Sequence, residues 1–571
     1  MQKTKWILKE SSPQKEILSL ADSLNISNIL ANLLIYRGVT NFYEAKAFFR
    51  PSLDMLHDPY LMDGMDEASN RVIAAITNNE KIVIYGDYDV DGTCSTALMY
   101  LFLKEFNADV EMYIPNRLTD GYGLSLQGID FIKERGCKLM ITVDCGITAV
   151  EEVDYASSLG IETIICDHHK VKDDVPKAVA VLDPIKPGCT YPFKHLSGAG
   201  VAFKLARAVG DKVGKKELAL KYLDLVALAG AADIVSLTGE NRVLVRRGIE
   251  QINTNPRPGI KALILAARMD LGFLTAGQIV FSLAPRINAV GRMGEAIRAV
   301  QLFVTDDEKE AIKLATVLEA ENVERRKIDE ATFSHALQKA EKEIDLKNDI
   351  GIVLHDDNWH PGVIGIVASR MVEKFYRPAV MLSTIDGVAK GSARSISGFN
   401  VYKALQECED LLIQYGGHEA AAGLAIEIEK IDEFRLRFNR ILKETIKEKD
   451  IIPETIIDSH ISFGEITPKF MRILDEFSPF GPGNMRPVFM ATDVRVLYPP
   501  RLVGGSHLIL YLKQDGCDKM FDSIGFSLGN FASAIDYKKD LVDIVFTLEK
   551  VTKDGRQYPQ LRLKDLKVKK G

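Results

Sequence analysis

The sequence predicts a multidomain α/β protein in which a parallel-sheet domain, a long helical linker, a second α/β domain and a C-terminal β-barrel follow one another. Three observations lead there. Between residues 81 and 182 short apolar runs alternate with helical stretches, as in right-handed βαβ units that build one parallel sheet with helices on both faces. Residues 306–345 are highly charged and hold neither Gly nor Pro, which suits one or two long helices between domains. After a Pro- and Gly-rich stretch at 477–484, short alternating segments recur, as in a small barrel. At 571 residues the chain also exceeds what a single core accommodates.

In order along the chain, residues 1–75 read as a helical segment packed on the domain that follows, with Leu18, Leu20, Leu24, Ile29 and Leu33 at roughly helical spacing. That domain spans 76–305. Its strands are expected at 82–85, 110–114, 139–143, 162–166 and 178–182, and its first helices at 95–106, 127–135 and 149–159. Mostly helical sequence follows from 200 onward. The linker occupies 306–345 and the second α/β domain 346–452. A connecting segment and the barrel fill 453–571, with strands near 488–490, 508–512, 523–526, 541–548 and 560–563.

Composition sets outer bounds. A hydrophobic fraction of 46% with 26% charged residues is ordinary for a soluble protein. Neither a secretory leader nor a membrane span is visible, so a cytoplasmic location is expected. The seven cysteines form no CxxC pair, which argues against a zinc ribbon or a disulfide framework. The net charge of −7 weighs mildly against nucleic acid, but local patches and bound cations decide the field at a site. The last nineteen residues carry seven Lys or Arg and two Asp.

The chemistry concentrates at strand ends. The first strand runs into Asp87, Asp89 and Asp91, the third into Asp144, and the fourth into Asp167, His168 and His169. In an open parallel sheet the carboxyl ends of the strands share one edge, where ligands bind. A single Asp at a strand end is usually a turn or cap residue, as Asp183 beside Pro184 is expected to be. Three clusters on one edge are different, because neighbouring carboxylates resist joint ionisation. Oxygen ligands with imidazole and no thiolate favour Mn²⁺ or Mg²⁺, and this many carboxylates point to two ions. A pair about 4 Å apart can activate water and stabilise a phosphoryl centre. Cys145 lacks a base arranged to activate it and is expected to be inert.

These motifs resemble those of the DHH phosphoesterases. Residues 87–92 look like the first motif of that family, 115–117 with 120–123 the second, 143–146 the third, and Asp167-His168-His169 the motif that names it; Ala231-Ala232-Asp233 matches the last metal-binding aspartate. The resemblance implies that Asp89 serves one metal and Asp91 the other, and that Asp144 bridges them. His168 and Asp233 complete the coordination of the second ion, Asp87 is an additional ligand, and His169 contacts the scissile phosphate or donates a proton. Small DHH phosphatases carry a His where this chain has Tyr85. The RecJ branch of the family carries the extra Asp87 instead.

Further likeness extends along the chain. Arg117 resembles a phosphate-contacting arginine, and the segment 283–292 with Arg286 and Arg292 a RecJ-specific one. Residues 359–370, 391–395 and 416–418 resemble the DHHA1 signature, which implicates Arg370, Ser392, Arg394, Gly417 and His418 in gripping a phosphate backbone. The C-terminal segment resembles an OB-fold barrel, with Phe521, Phe526 and Tyr558 as stacking or core candidates. The resemblance therefore implies a two-metal exonuclease acting 5′ to 3′ on single-stranded DNA to give 5′-mononucleotides in repair and recombination. Implied partners are single-stranded DNA and a helicase or single-strand-binding protein, with the enzyme monomeric and no membrane involved. Two other readings are a phosphodiesterase of short oligonucleotides or cyclic dinucleotides, and a non-catalytic replication scaffold. The barrel argues against the first, and the complete ligand set argues against the second. Tyr85 and the extra domains disfavour a pyrophosphatase.

Overall fold

In the computed structural model, which describes residues 4–116, 123–172, 174–293, 295–345, 348–447, 451–553 and 556–571, the alternating runs of the first domain form a five-stranded parallel sheet. Its strands are β2 (Ile82–Gly86), β3 (Val110–Tyr113), β4 (Leu139–Val143), β5 (Glu162–Cys166) and β6 (Ala180–Leu182), in the order β3-β2-β4-β5-β6. β2 and β4 are buried along their whole length, as expected of strands covered on both faces. On one face Ile82, Ile84, Ile141 and Ile164 pack with α5 (Val90–Lys104), α8 (Gly198–Lys212) and α9 (Leu223–Ala232). On the other, Val83, Tyr85, Met140 and Ile165 meet α6 (Leu126–Glu134) and α7 (Val150–Ser158). Gly86, Val143, Cys166 and Leu182 are register partners across four strands. The next residue of each is therefore Asp87, Asp144, Asp167 or Asp183, a row of four aspartates along one edge.

Helices α10 (Gly239–Thr254), α11 (Pro258–Ala266) and α14 (Ile297–Val304) enlarge this half. A short α12 (Ala276–Gln278) runs through a π-turn, Ile279–Leu283, into α13 (Ala284–Met293). The expected linker is one helix, α15 (Glu308–Glu343). It belongs to two cores: Ala311, Leu314 and Leu318 join the first, and Ala336 and Ala340 join the second domain.

The second domain holds β7 (Ile352–His355), β8 (Ala379–Ile385), β9 (Val388–Arg394), β10 (Leu412–Gly417) and β11 (Ala421–Glu427) in the order β10-β11-β9-β8-β7. α16 (Ile364–Phe375) covers one face with α15, while α17 (Val401–Gln406) and α18 (Ile431–Thr445) cover the other. In the C-terminal unit β14 (Val488–Val496), β18 (Leu541–Lys553), β19 (Arg556–Lys569), β17 (Met520–Gly525) and β16 (His507–Gln514) pair in succession, and β14 also pairs with β16. β13 (Ser459–His460) and β15 (Arg501–Val503) extend the two edges, and α19 (Pro468–Asp475) packs beside it.

The N-terminal segment departs from expectation in two ways. It opens with a strand, β1 (Lys5–Leu8), which pairs in parallel with β12 (Glu454–Ile457). Its helices α1 (Gln14–Leu24), α2 (Asn28–Ile35) and α3 (Phe42–Phe49) place their apolar core in the barrel unit, where Leu20, Leu30, Leu33 and Leu34 pack with Phe470, Phe489 and Leu512. α3 also meets the first domain through Arg242 of α10, which lies over the Phe48 ring at 3.8 Å and donates to Phe48 O at 3.0 Å. α4 (Met65–Thr77) and the turns before it join the first domain's core, through Met62, Met65, Ala68 and Val72. No single described helix is long and apolar enough to cross a membrane.

Candidate metal centre

Sheet register and helix ends bring the acids together. Asp89 caps α5, its Oδ1 accepting from Asp91 N at 2.8 Å and Gly92 N at 3.1 Å, which aims the first turn at the sheet edge. Asp91 follows within that turn and is buried. Its two oxygens accept from Gly198 N and Ala199 N, each at 2.7 Å, so the N-terminus of α8 orients the carboxylate and complements its charge. Asp144 has φ +62°, a left-handed backbone uncommon outside glycine, which turns its side chain back over the edge. Asp233 follows the last residue of α9.

His168 is the hub. Its Nε2 lies 3.1 Å from Asp144 Oδ1, 3.6 Å from Asp233 Oδ2 and 3.8 Å from Asp91 Oδ2. Three triads among the described residues have ligand atoms within 4.8 Å of one another: Asp91, His168 and Asp233; Asp87, Asp89 and Asp144; and Asp144, His168 and His169, which shares a member with each of the others. The short Asp144–His168 approach links the first two. Asp144 Oδ1 and Asp233 Oδ2 are buried and accept no hydrogen bond. Burial, and then mutual repulsion, holds Asp89, Asp91 and Asp144 above the usual carboxylate range. Two carboxylates about 4 Å apart repel by roughly 4 kcal/mol at an effective dielectric constant near 20. Oxygens that face inward without donors, in a cluster with that much repulsion, fit divalent cations, and the oxygen-rich donor set suits Mn²⁺ or Mg²⁺.

Asp167, buried beside this cluster, serves differently. Its Oδ1 accepts from His168 N at 2.7 Å, His169 N at 3.1 Å and His169 Nδ1 at 2.8 Å, and its Oδ2 from Ile147 N at 2.9 Å. Burial works to raise its pKa, but these bonds prevail and keep it below the usual value. Burial holds His168 below its ordinary value. For His169 burial acts in the same direction, but the bond to Asp167 and its charge prevail and raise it to about 9. Asp183 accepts from Ile185 N at 2.8 Å, the turn role expected of it, and burial pushes it up to about 7. The Cys145 thiol donates to the carbonyls of Tyr85 and Val143, and burial raises it well above its ordinary value, so it stays inert. Tyr85 is fully buried, its hydroxyl donating to Gly123 O at 3.1 Å.

The expected substrate contacts divide. Gly417 and His418 line a cleft of about 1770 Å³ between the first two domains, whose other wall includes Tyr88, His168 and His169. Arg394 Nη1 donates to Ser392 Oγ at 2.7 Å. A Cβ on Gly365 would come within 2.9 Å of Arg394 Nη2 and 3.0 Å of Ser392 Oγ, so both face the first turn of α16. Arg292 Nη1 donates to Gly362 O at 3.1 Å, bridging the domains. Arg286 is buried, 2.5 Å from Glu319 of α15, and Arg370 pairs with Asp329 and Glu330 while lying over the Phe333 ring at 3.8 Å. Those two hold α15 in place instead of reaching into the cleft. Arg117 lies outside the described residues. In the barrel Phe521 is core, whereas Phe526 and Tyr558 are exposed. Sequence reasoning misses Asp167 as an orienting group and the Gly198–Ala199 amides as a clasp. The Ser197-Gly198-Ala199-Gly200 start of α8 is the available signal.

Three family models match the chain: the DHH family, N-terminal domain, over residues 81–230; the DHHA1 domain over 348–444; and the RecJ OB domain over 457–565. The single-stranded-DNA-specific exonuclease RecJ of Bacillus subtilis is 39% identical over 570 residues, 99% of this chain and 71% of that protein. Its namesake from Salmonella typhimurium is 35% identical, over 88% of this chain and 89% of its own. The crystal structure of RecJ in complex with Mn²⁺ from Thermus thermophilus superposes with a TM-score of 0.84 at 29% identity, over 99% of this chain and 79% of that one.

Proposed function

The chain belongs to the RecJ family of single-stranded-DNA-specific exonucleases, and on that premise we propose that it hydrolyses phosphodiester bonds of single-stranded DNA. We read the reaction as running 5′ to 3′, releasing 5′-mononucleotides, in the cytoplasm during repair and recombination. The observation that carries this reading is the pair of linked triads, one of carboxylates and one of carboxylates with imidazole, at the edge of the parallel sheet. Asp87, Asp89 and Asp144 would hold one divalent cation, and Asp91, His168 and Asp233 the other, with Asp144 between them. When bound, Mn²⁺ or Mg²⁺ ions neutralise the carboxylates, activate water and stabilise charge on a phosphoryl centre.

The chain's own residues supply the rest. Asp91 is fixed by the two α8 amides, and His168 by its backbone bond to Asp167. His169, tied to Asp167 through Nδ1, lies on the cleft wall, where it can donate to a phosphate oxygen. Ser392, Arg394, Gly417 and His418 would hold the strand from the opposite domain, and Arg292 sets the approach of the two walls. Arg117 would add a phosphate contact from the first domain. A helicase or single-strand-binding protein would supply the strand to a monomeric enzyme.

The test is digestion of single-stranded oligonucleotides labelled at the 5′ or the 3′ end, with Mn²⁺ or with EDTA. Release of labelled mononucleotide first from 5′-labelled strands, only with metal, is expected. Mononucleotide appearing first from the 3′ label would overturn the polarity. No release from single strands alongside hydrolysis of a cyclic dinucleotide would overturn the substrate.

A further inference from the structure

Beyond the phosphate-gripping motifs, the cleft carries two tyrosines on the second domain's wall. Tyr402, in the first turn of α17, and Tyr415, on β10, both line it. Their ring centroids are 5.7 Å apart with planes inclined at 45°, and both residues are half-buried. The Tyr415 hydroxyl donates to Glu409 Oε2 at 3.2 Å, which anchors the ring by its rim. β10 is an edge strand, and Tyr415 precedes Gly417 by two residues, about 7 Å along an extended chain. The pair therefore sits beside Gly417 and His418 on the wall of the same cleft that His168 and His169 line from the other side. Structural aromatic pairs of this domain look different: Phe434 and Phe438 stack at 5.6 Å with no exposure at all. Lys390 on the same wall and Lys170 on the opposite one also line the cleft. Aromatic faces beside cations are the equipment for gripping a single strand without reading its sequence, because every base has a π-face and every nucleotide a phosphate.

We propose that Tyr402 and Tyr415 form a nucleobase-stacking platform for the single strand whose backbone Gly417 and His418 hold. This rests on the exonuclease reading. The pair supplies affinity and positions the nucleotide beside the metal centre, taking no part in bond cleavage.

The test is binding, so that it does not depend on hydrolysis. Fluorescence anisotropy of the full-length protein in EDTA would compare a labelled single strand with one of equal length built from abasic nucleotides. Tyr402→Ala and Tyr415→Ala should each weaken binding of the base-bearing strand about ten-fold and leave the abasic strand unchanged. Tyr415→Phe should bind within about two-fold of the parent, since the ring face is kept. Melting temperatures of the variants identify any that fail to fold, and the remaining position carries the comparison. In digestion with Mn²⁺ the alanine variants should raise KM and leave kcat near its parent value. Equal affinity of parent and alanine variants for the base-bearing strand would overturn the platform, and so would an equal loss on both strands. If the platform behaves as expected in binding while the parent degrades neither strand, it is the exonuclease reading that fails.

Discussion

Asp144 takes a left-handed backbone at φ +62°, a conformation that costs a non-glycine residue on the order of 1 kcal/mol and that Asn and Asp tolerate best. Its side chain is wedged against α8. A Cβ on Gly198 would lie 2.7 Å from Asp144 Cβ and 2.8 Å from its Oδ1, closer than atoms approach, and the same glycine's amide holds Asp91. Gly198→Ala should therefore displace two ligands at once. It is expected to lower Mn²⁺ affinity by about 10- to 100-fold, the usual scale for residues that orient ligands, and stability by about 1–3 kcal/mol. Isothermal titration with Mn²⁺ and thermal melting check both. Asp87, Asp89, Asp91, Asp144 and His168 are legible in the sequence because each closely follows an apolar run whose direction the βαβ pattern sets. The Gly198–Ala199 clasp is not, because Gly198 lies 107 residues from Asp91 and uses a backbone amide, which no residue type announces.

At the scale of elements, α15 is the rod on which the two cleft walls are mounted. Its first half is core to one domain and its last half core to the other, so its packing sets their spacing. Arg370 fastens α16 to it through Asp329, Glu330 and the Phe333 ring. Arg370→Ala should cost about 1–2 kcal/mol of stability, the sum of a partly exposed ion pair and a cation–π contact, and leave KM for single strands within about two-fold. Arg394→Ala should do the reverse, raising KM with little change in melting temperature. Steady-state digestion and calorimetry on the two variants separate these roles. Sequence reading puts both arginines in one motif with one role, since Asp329 and Glu330 sit in a charge-rich stretch where no particular partner stands out.

For the whole molecule, the chain's two ends fold together. β1 pairs with β12, Trp6 Nε1 donates to Asp565 Oδ2 at 2.8 Å, and α1–α3 close the barrel unit's core. Burying Leu20, Leu30, Leu33 and Leu34 contributes roughly 6–12 kcal/mol at about 1.5–3 kcal/mol each, as much as the whole stability of a typical domain. A fragment covering 453–571 should therefore stay unfolded or aggregate, and should give a cooperative melt once residues 1–50 are supplied. Circular dichroism of the two preparations decides it. Helical spacing reveals that α1 and α2 have an apolar face, but spacing carries no information about which core receives it. β1 escapes notice because four residues in a two-stranded ribbon leave no period to read.

The central claim is that the acid-tipped sheet edge holds two divalent cations. Counting Mn²⁺ bound at equilibrium, by electron paramagnetic resonance of the free ion, tests it most directly on the parent and on Asp144→Asn, which preserves the left-handed backbone. The account predicts two ions per chain for the parent and at most one tightly held ion for the variant. A parent that binds no Mn²⁺, or a variant that still holds two as tightly, would contradict it.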